Sequence, residues 1–297
     1  MAAIGSRRKE WGVDALDQDL AGLDRLELPL TPAGSRLVAL WSSAWPKLVA
    51  VVAVVAVWQV VIWSGWRPEY VLPSPLAVAE RLVDDLSGND LPAAIAITLR
   101  RAALGFGLAL AIGVAVGLAI VASRRVRVAA ASLVTGLQTM PSIAWFPFAI
   151  LLFGLSETAI LFVVVLGAAP SIANGLISGV DQVPRLILRA GHVLGASGWR
   201  SYRFVVLPAA LPSFVSGLKQ GWAFSWRSLM AGELLVIIAA QPSIGVRLQF
   251  AREVADAPGL LAVMLVILAI GIAVDALLFG TLERTIRRHW GLLEPRR

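Results

Sequence analysis

Four charged residues stand inside otherwise apolar stretches: Lys219, Arg227 and Glu233 within residues 209–240, and Asp275 within 257–282. A charge facing hydrocarbon at that depth is costly, so each marks a polar interior or a solute path by default. Arg227 is the most suggestive, because its guanidinium is a planar fork of donors that suits a planar or tetrahedral oxyanion. Its other reading is a structural pair with Glu233 or Asp275. Six residues on a helix turn through about 240°, so Arg227 and Glu233 do not share a face, and a partner for either on another helix or a second protomer stays open. Trp222 and Trp226 lie one turn apart and, with Met140, Pro141, Trp145 and Phe146, either line a route for a small organic anion or pack as aromatics in a helix bundle. Reaction chemistry is poorly supplied. With no cysteine there is no disulfide framework, thiolate metal site or cysteine nucleophile, and His192 and His289 sit in basic polar segments that make no clustered metal site alone. No His, Asp and Ser recur at catalytic spacing.

The elements that must position these residues are membrane helices. Of the 297 residues 58% are hydrophobic and 15% charged, with a mean hydropathy of +0.78. An ordinary soluble domain has roughly 45–50% and about 25%, which excludes a soluble enzyme, a disordered chain or a secreted scaffold. Uncharged runs near the roughly 20 residues needed to cross a bilayer give spans at about 48–66, 101–123, 128–153, 158–180 and 257–282. The stretch 209–240 is a sixth, lining a polar interior. Pro141 and Pro147 are expected to kink the third span. Gly105, Gly107, Gly113 and Gly117 give the second a small-residue packing face. The expected fold is all-α, a polytopic membrane protein with six transmembrane helices, in three parts: a tail 1–46, a transmembrane domain 47–288 and a tail 289–297.

The net charge of +7 does not point to nucleic acid, because most basic residues flank apolar stretches. Residues 1–46 are too long and polar for a signal peptide, so the first span is expected to be an uncleaved anchor. Alternating the spans gathers the N-terminal basic residues, Arg124 to Arg127, Arg185 to Arg203 and the C-terminal arginines on one side, leaving Arg67, Arg81, Arg100, Arg101, Arg247 and Arg252 on the other. By the positive-inside rule both termini are cytoplasmic. An amphipathic helix is expected after Pro73 and Pro75, on the outer face, and a leucine-and-acid repeat within 13–30 is either an interfacial helix or a solvated tail.

The loop 181–208 carries "RAGHVLGASGWRSYRFVVLP". A short helix over about 183–194 is expected to end near Gly195, and Pro208 suits the first turn of the fifth span. The small residues Ala190, Gly191, Gly195, Ala196 and Ser197 would let another protein approach closely; the other reading is plain turn geometry. Here the sequence resembles the inner-membrane permease subunits of ATP-binding-cassette importers, whose cytoplasmic signature is Glu-Ala-Ala, three residues, Gly, nine residues, then Ile-x-Leu-Pro. Arg189, Ala190, Gly191, then Gly195, then Val205, Leu207 and Pro208 occupy that spacing, with Arg189 replacing the glutamate, Gly191 the second alanine and Val205 the isoleucine. "LPSPLAVAERL", "TLRRAALGFGLALAIGVAVGLAI", "MPSIAWFPFAILLFGLSETA" and "WRSLMAGELL" resemble the nitrate, sulfonate and taurine branch.

That resemblance implies the type I importer permease fold, with a coupling helix through which Arg189, Ala190, Gly191, Leu194, Gly195, Ala196, Ser197, Leu207 and Pro208 meet an ATPase. It implies a homodimer, two cytoplasmic ATP-binding subunits, an extracytoplasmic binding protein and a small anionic solute. The sequence has no G-x-x-x-x-G-K-[ST] loop, so no cofactor is expected in this chain, and ATP and Mg belong to the partner. The candidate path residues are Met140, Pro141, Trp145, Trp222, Trp226, Arg227 and Glu233. An ATP-independent secondary transporter is the alternative; it would need an intramembrane carboxylate or ion site, for which Glu233 and Asp275 look isolated.

Overall fold

The computed structural model describes residues 36–238 and 241–289, and the chain forms two compact units, 1–61 and 62–297. The leucine-and-acid repeat and residues 290–297 lie outside the described residues. Helix α1, Arg36–Trp63, supplies all the described residues of the first unit and ends two residues beyond it, and its stretch Trp45–Trp63 is long and apolar enough to cross a bilayer.

In the second unit, Ser74 accepts a hydrogen bond from the Ala77 amide at 3.2 Å and Pro75 fills the first turn of α2, Pro75–Ser87. Helix α3, Asp90–Ala122, begins about eleven residues before the expected span. Arg101 therefore does not begin the helix, as the expected span 101–123 had it, but lies inside it and is buried. Charges delimit apolar runs, not helices, and this helix continues through a paired arginine.

The third expected span is two helices. α4, Arg124–Thr139, stops before Met140 and Pro141, both extended; a 3-10 turn at Ser142–Trp145 leads into α5, Phe146–Phe153, and the two arms meet at 99°. The expected kink is a break because the residue before a proline is driven out of the helical region and the proline has no N–H to continue the ladder.

Helix α6, Glu157–Asp181, is the centre of the core, with α3 along one side and the later helix α8, Leu207–Leu235, along another. Glycines permit the close approach. A Cβ added at Gly175 would stand 2.5 Å from the Cα of Gly217, and one at Gly113 would meet the Ala169 carbonyl at 2.8 Å. Gly105 and Gly117 also pack on α6, whereas Gly107 faces open space and is no part of that contact.

Between α6 and α8 lie α7, Arg185–Val193, and helical turns over Trp199–Ser201 and Tyr202–Val206. After α8, which ends at Leu235 and not near Ala240, come α9, Ile244–Glu253, and α10, Ala257–Val274. A π-helical turn, Asp275–Phe279, carries α10 into α11, Gly280–His289. No strand occurs among the described residues. Among the described residues four helical stretches are apolar and long enough to cross a membrane, Trp45–Trp63, Asp90–Ala122, Glu157–Asp181 and Ala257–Ile286, or five if the bent α4–α5 pair is one span. The 29 residues of α8 suffice in length, about 43 Å, but not in apolarity.

Candidate functional site

Helix α8 carries three charges, and the structure gives each a different setting. Glu233 is fully buried. It accepts from Arg101 Nη1 at 3.0 Å, from Thr98 Oγ1 at 2.9 Å and from the Gly245 amide at 3.1 Å. Arg101, 1% exposed, also donates to Gln241 Oε1 at 2.8 Å, and Thr98 Oγ1 accepts from the Ile244 amide at 3.0 Å. Thr98 and Arg101 lie three residues apart on one face of α3, so one turn of α3, the end of α8 and the start of α9 meet in a single network. Glu233 is thus a buried joint; it faces no path. Sequence reasoning missed Arg101, Thr98, Gln241 and Gly245. The usable signal was Glu233 itself, since a buried carboxylate requires a cation.

Arg227 pairs with neither Glu233 nor Asp275. It is exposed, its Nε donates to the Ala223 carbonyl at 3.0 Å, its guanidinium lies 4.8 Å from the Phe224 ring centre, and no carboxylate among the described residues is within ion-pair distance. With Ser216, Gln220 and Ala223 it forms an exposed stripe at i, i+4, i+7 and i+11 on a helix otherwise largely buried. A polar stripe suits water or a protein partner better than lipid. The break in the third span abuts α8 at this level: a Cβ at Gly167 would meet Ser228 Oγ at 2.7 Å and Ser142 Cβ at 3.7 Å. Met140 and Pro141 are exposed, while Trp145 packs against the core.

Trp222 and Trp226 are buried, stacked at 5.9 Å, with Phe106 edge-on to Trp222 at 5.5 Å. Aromatic packing accounts for Trp222; Trp226 also borders a cavity. Lys219 Nζ meets Asp275 Oδ2 at 3.2 Å, so neither carboxylate read as isolated is alone.

The loop after α6 forms a projecting knob. Gly195 has φ +85°; the Ala196 amide donates to the Gly191 carbonyl at 2.9 Å and the Gly195 amide to the His192 carbonyl at 3.0 Å, the double bond of a Schellman cap that only a left-handed residue closes comfortably. Gly191 lets the helix seat on Val205, whose Cγ2 would be 2.7 Å from an added Cβ, so α7 is fixed to the turn that starts α8 at Leu207 and Pro208. The outer surface is apolar and basic. Val193 and Leu194 are each 86% exposed, and Arg189, Ala190, Gly195 and Ser197 are exposed beside them, with Ala196 half-buried. Leu186 and Trp199 are exposed as well, at 76% and 74%, so the loop presents several large apolar side chains.

A family model described as the binding-protein-dependent transport system inner membrane component matches residues 104–288. The chain belongs to that family. A riboflavin transport system permease of Chloroflexus aurantiacus is 30% identical over 264 residues, 88% of this chain and 97% of the relative. A taurine transport system permease of Escherichia coli is 30% identical over 229 residues, 75% of this chain and 79% of the relative. In structure the permease resembles a chain of the MetNI methionine ABC transporter in an inward-facing form, with a TM-score of 0.54 at 18% identity, covering 64% of this chain and 93% of that one. The fold is that of the type I importer permeases, and the relatives are transport subunits, not enzymes. Permeases of this class work at the inner membrane with ATPase subunits and binding proteins.

Proposed function

We propose that this permease acts as a homodimer with two cytoplasmic ATP-binding subunits, which hold the ATP and Mg, and an extracytoplasmic binding protein, and that it imports a small oxyanion, an aliphatic sulfonate or taurine ahead of nitrate or bicarbonate. The observation that carries the importer reading is the α7 knob. Its exposed Val193 and Leu194 need an apolar partner surface, and its Schellman cap and its seat on Val205 make it a stiff lever on α8. ATP binding can shift the inward and outward states only through contacts that differ between them, and a stiff joint transmits such a difference. The basic residues Arg185, Arg189, Arg200 and Arg203 around the knob support a cytoplasmic placement, with both termini on that side.

The oxyanion rests on Arg227, exposed and free of carboxylates on the polar stripe of α8. The relative named for taurine supports it, and the relative named for riboflavin does not. The test is purification of the tagged permease in mild detergent. A co-eluting nucleotide-binding subunit with ATPase activity, lost in Gly195→Trp, supports the importer, and a permease that elutes alone without ATPase activity refutes it. Uptake of taurine, ethanesulfonate, nitrate and riboflavin by proteoliposomes of the assembled complex decides the substrate class.

A further inference from the structure

The pair Lys219–Asp275 has no part in the oxyanion reading so far. Lys219 stands two residues from Gly221, the midpoint of α8, and Asp275 two residues from Ala273, the midpoint of the helical run 257–289. Asp275 thus stands inside the stretch Ala257–Ile286, apolar and long enough to cross a membrane, and Lys219 reaches it from α8, yet their side chains are 44% and 45% exposed. Hydrocarbon is a poor neighbour for either, so the pair faces a polar route. Two further observations single it out. Asp275 opens the π-helical turn, a distortion that recurs at functional sites and here aims a carboxylate from the middle of an apolar helix. It also lines an open cavity of about 560 Å³ walled by Trp226, Met264, Ile267, Gly271 and Ile272. Gly271 leaves room there: a Cβ would lie 3.3 Å from Trp226 Nε1, an indole N–H that has no acceptor among the described residues.

On the α8 wheel Lys219 and Trp226 lie within about 20° of each other, and the stripe bearing Arg227 begins about 40° away. The cavity, the pair and the stripe are thus adjoining parts of one surface. We propose that Lys219, Asp275 and Trp226 form a subsite for a small zwitterion, an oxyanion and an ammonium group joined by a short carbon chain. The solute ammonium replaces Lys219 at the Asp275 carboxylate, the oxyanion replaces Asp275 at the Lys219 ammonium, and the carbon chain lies on the apolar wall. Every charge stays paired during the exchange. An alkanesulfonate without an amine would satisfy Lys219 but leave Asp275 without a cation, so the site favours a solute that supplies both charges. This inference rests on the oxyanion reading and narrows it.

The test compares taurine with ethanesulfonate, by equilibrium binding to the permease–ATPase complex in nanodiscs and by ATP-driven uptake with the binding protein added. The wild type is expected to favour taurine by about tenfold in binding, and Asp275→Asn to bring the two solutes within about twofold while keeping ethanesulfonate. The exchanged pair Lys219→Asp with Asp275→Lys is expected to recover part of the taurine preference, which a loss of folding would not do. An unchanged preference in Asp275→Asn, or equal loss of both solutes with a lowered melting temperature, overturns the subsite and leaves the oxyanion reading standing. A wild type that binds and moves neither sulfonate overturns both.

Discussion

Removal of the carboxylate at position 233 is the sharpest test of the packing argument. Glu233→Ala leaves Arg101, 1% exposed, with Gln241 Oε1 at 2.8 Å and only a distant carboxylate, Glu157 at 3.8 Å from Nε. It also strips acceptors from Thr98 and from the Gly245 amide. Breaking a buried ion pair from one side costs about 3–5 kcal/mol, because the surviving charge stays out of water. At about 2–4 °C per kcal/mol for a chain of this size, the melting temperature should fall by about 6–20 °C. The assay is fluorescence-detected size exclusion of the detergent-solubilised permease after a heating series at fixed rate, since unfolding in detergent is irreversible. Glu233→Gln should retain part of the hydrogen bonding and still lose several degrees. The double variant Arg101→Met with Glu233→Met, apolar on both sides, should lie well above the sum of its singles. A loss below about 2 °C for Glu233→Ala, or strict additivity in the cycle, would refute the buried network.

Gly195→Trp should abolish ATP-coupled uptake while leaving the fold intact: no atom lies within 4 Å of an added Cβ, and the positive φ costs only about 1–2 kcal/mol, so normal coupled uptake would sink the docking assignment. Arg227→Ala should lower oxyanion uptake by about tenfold or more at equal membrane level, with Arg227→Lys intermediate, because only the guanidinium offers the planar fork; undiminished uptake in Arg227→Ala removes the anion role. Gly175→Leu should yield no folded permease, since the nearest atom is the backbone of Gly217 at 2.5 Å, whereas Gly107→Ala, in open space, should be neutral by the same melting assay.

The run of uncharged residues was a good guide to where helices are and a poor guide to where they end. α3 starts eleven residues early because Arg100 and Arg101, which close the apolar run, are compatible with a helix once Glu157 and Glu233 neutralise them. Those partners lie 57 and 132 residues away in sequence, beyond any local pattern. The Met140–Pro141 break and the Gly195 cap are local chemistry, and proline and glycine at those positions announce them. The π-helical turn has no comparable signature; it begins at Asp275, whose carboxylate meets Lys219 from another helix, a contact no local pattern announces.

The charges of α8 separate by helical phase into different kinds of work. Glu233 is turned through about 240° from Arg227, which puts one into the network with α3 and α9 and the other onto the open stripe. Lys219 lies between these extremes, half exposed and paired across to Asp275. A switch between inward and outward states has to spare some contacts and exchange others. The Arg101–Glu233 pair is the poorer candidate for exchange, because Glu233 has no second cation among the described residues, and a buried ion left alone opposes the motion. The Lys219–Asp275 pair is half exposed and Asp275 borders a cavity, so each charge can pass from its partner to a solute and back without being stranded. The fixed joint and the exchangeable pair lie fourteen residues apart on one rigid helix. A push delivered at Leu207 and Pro208 would therefore move the pair against α10 and pivot on the joint.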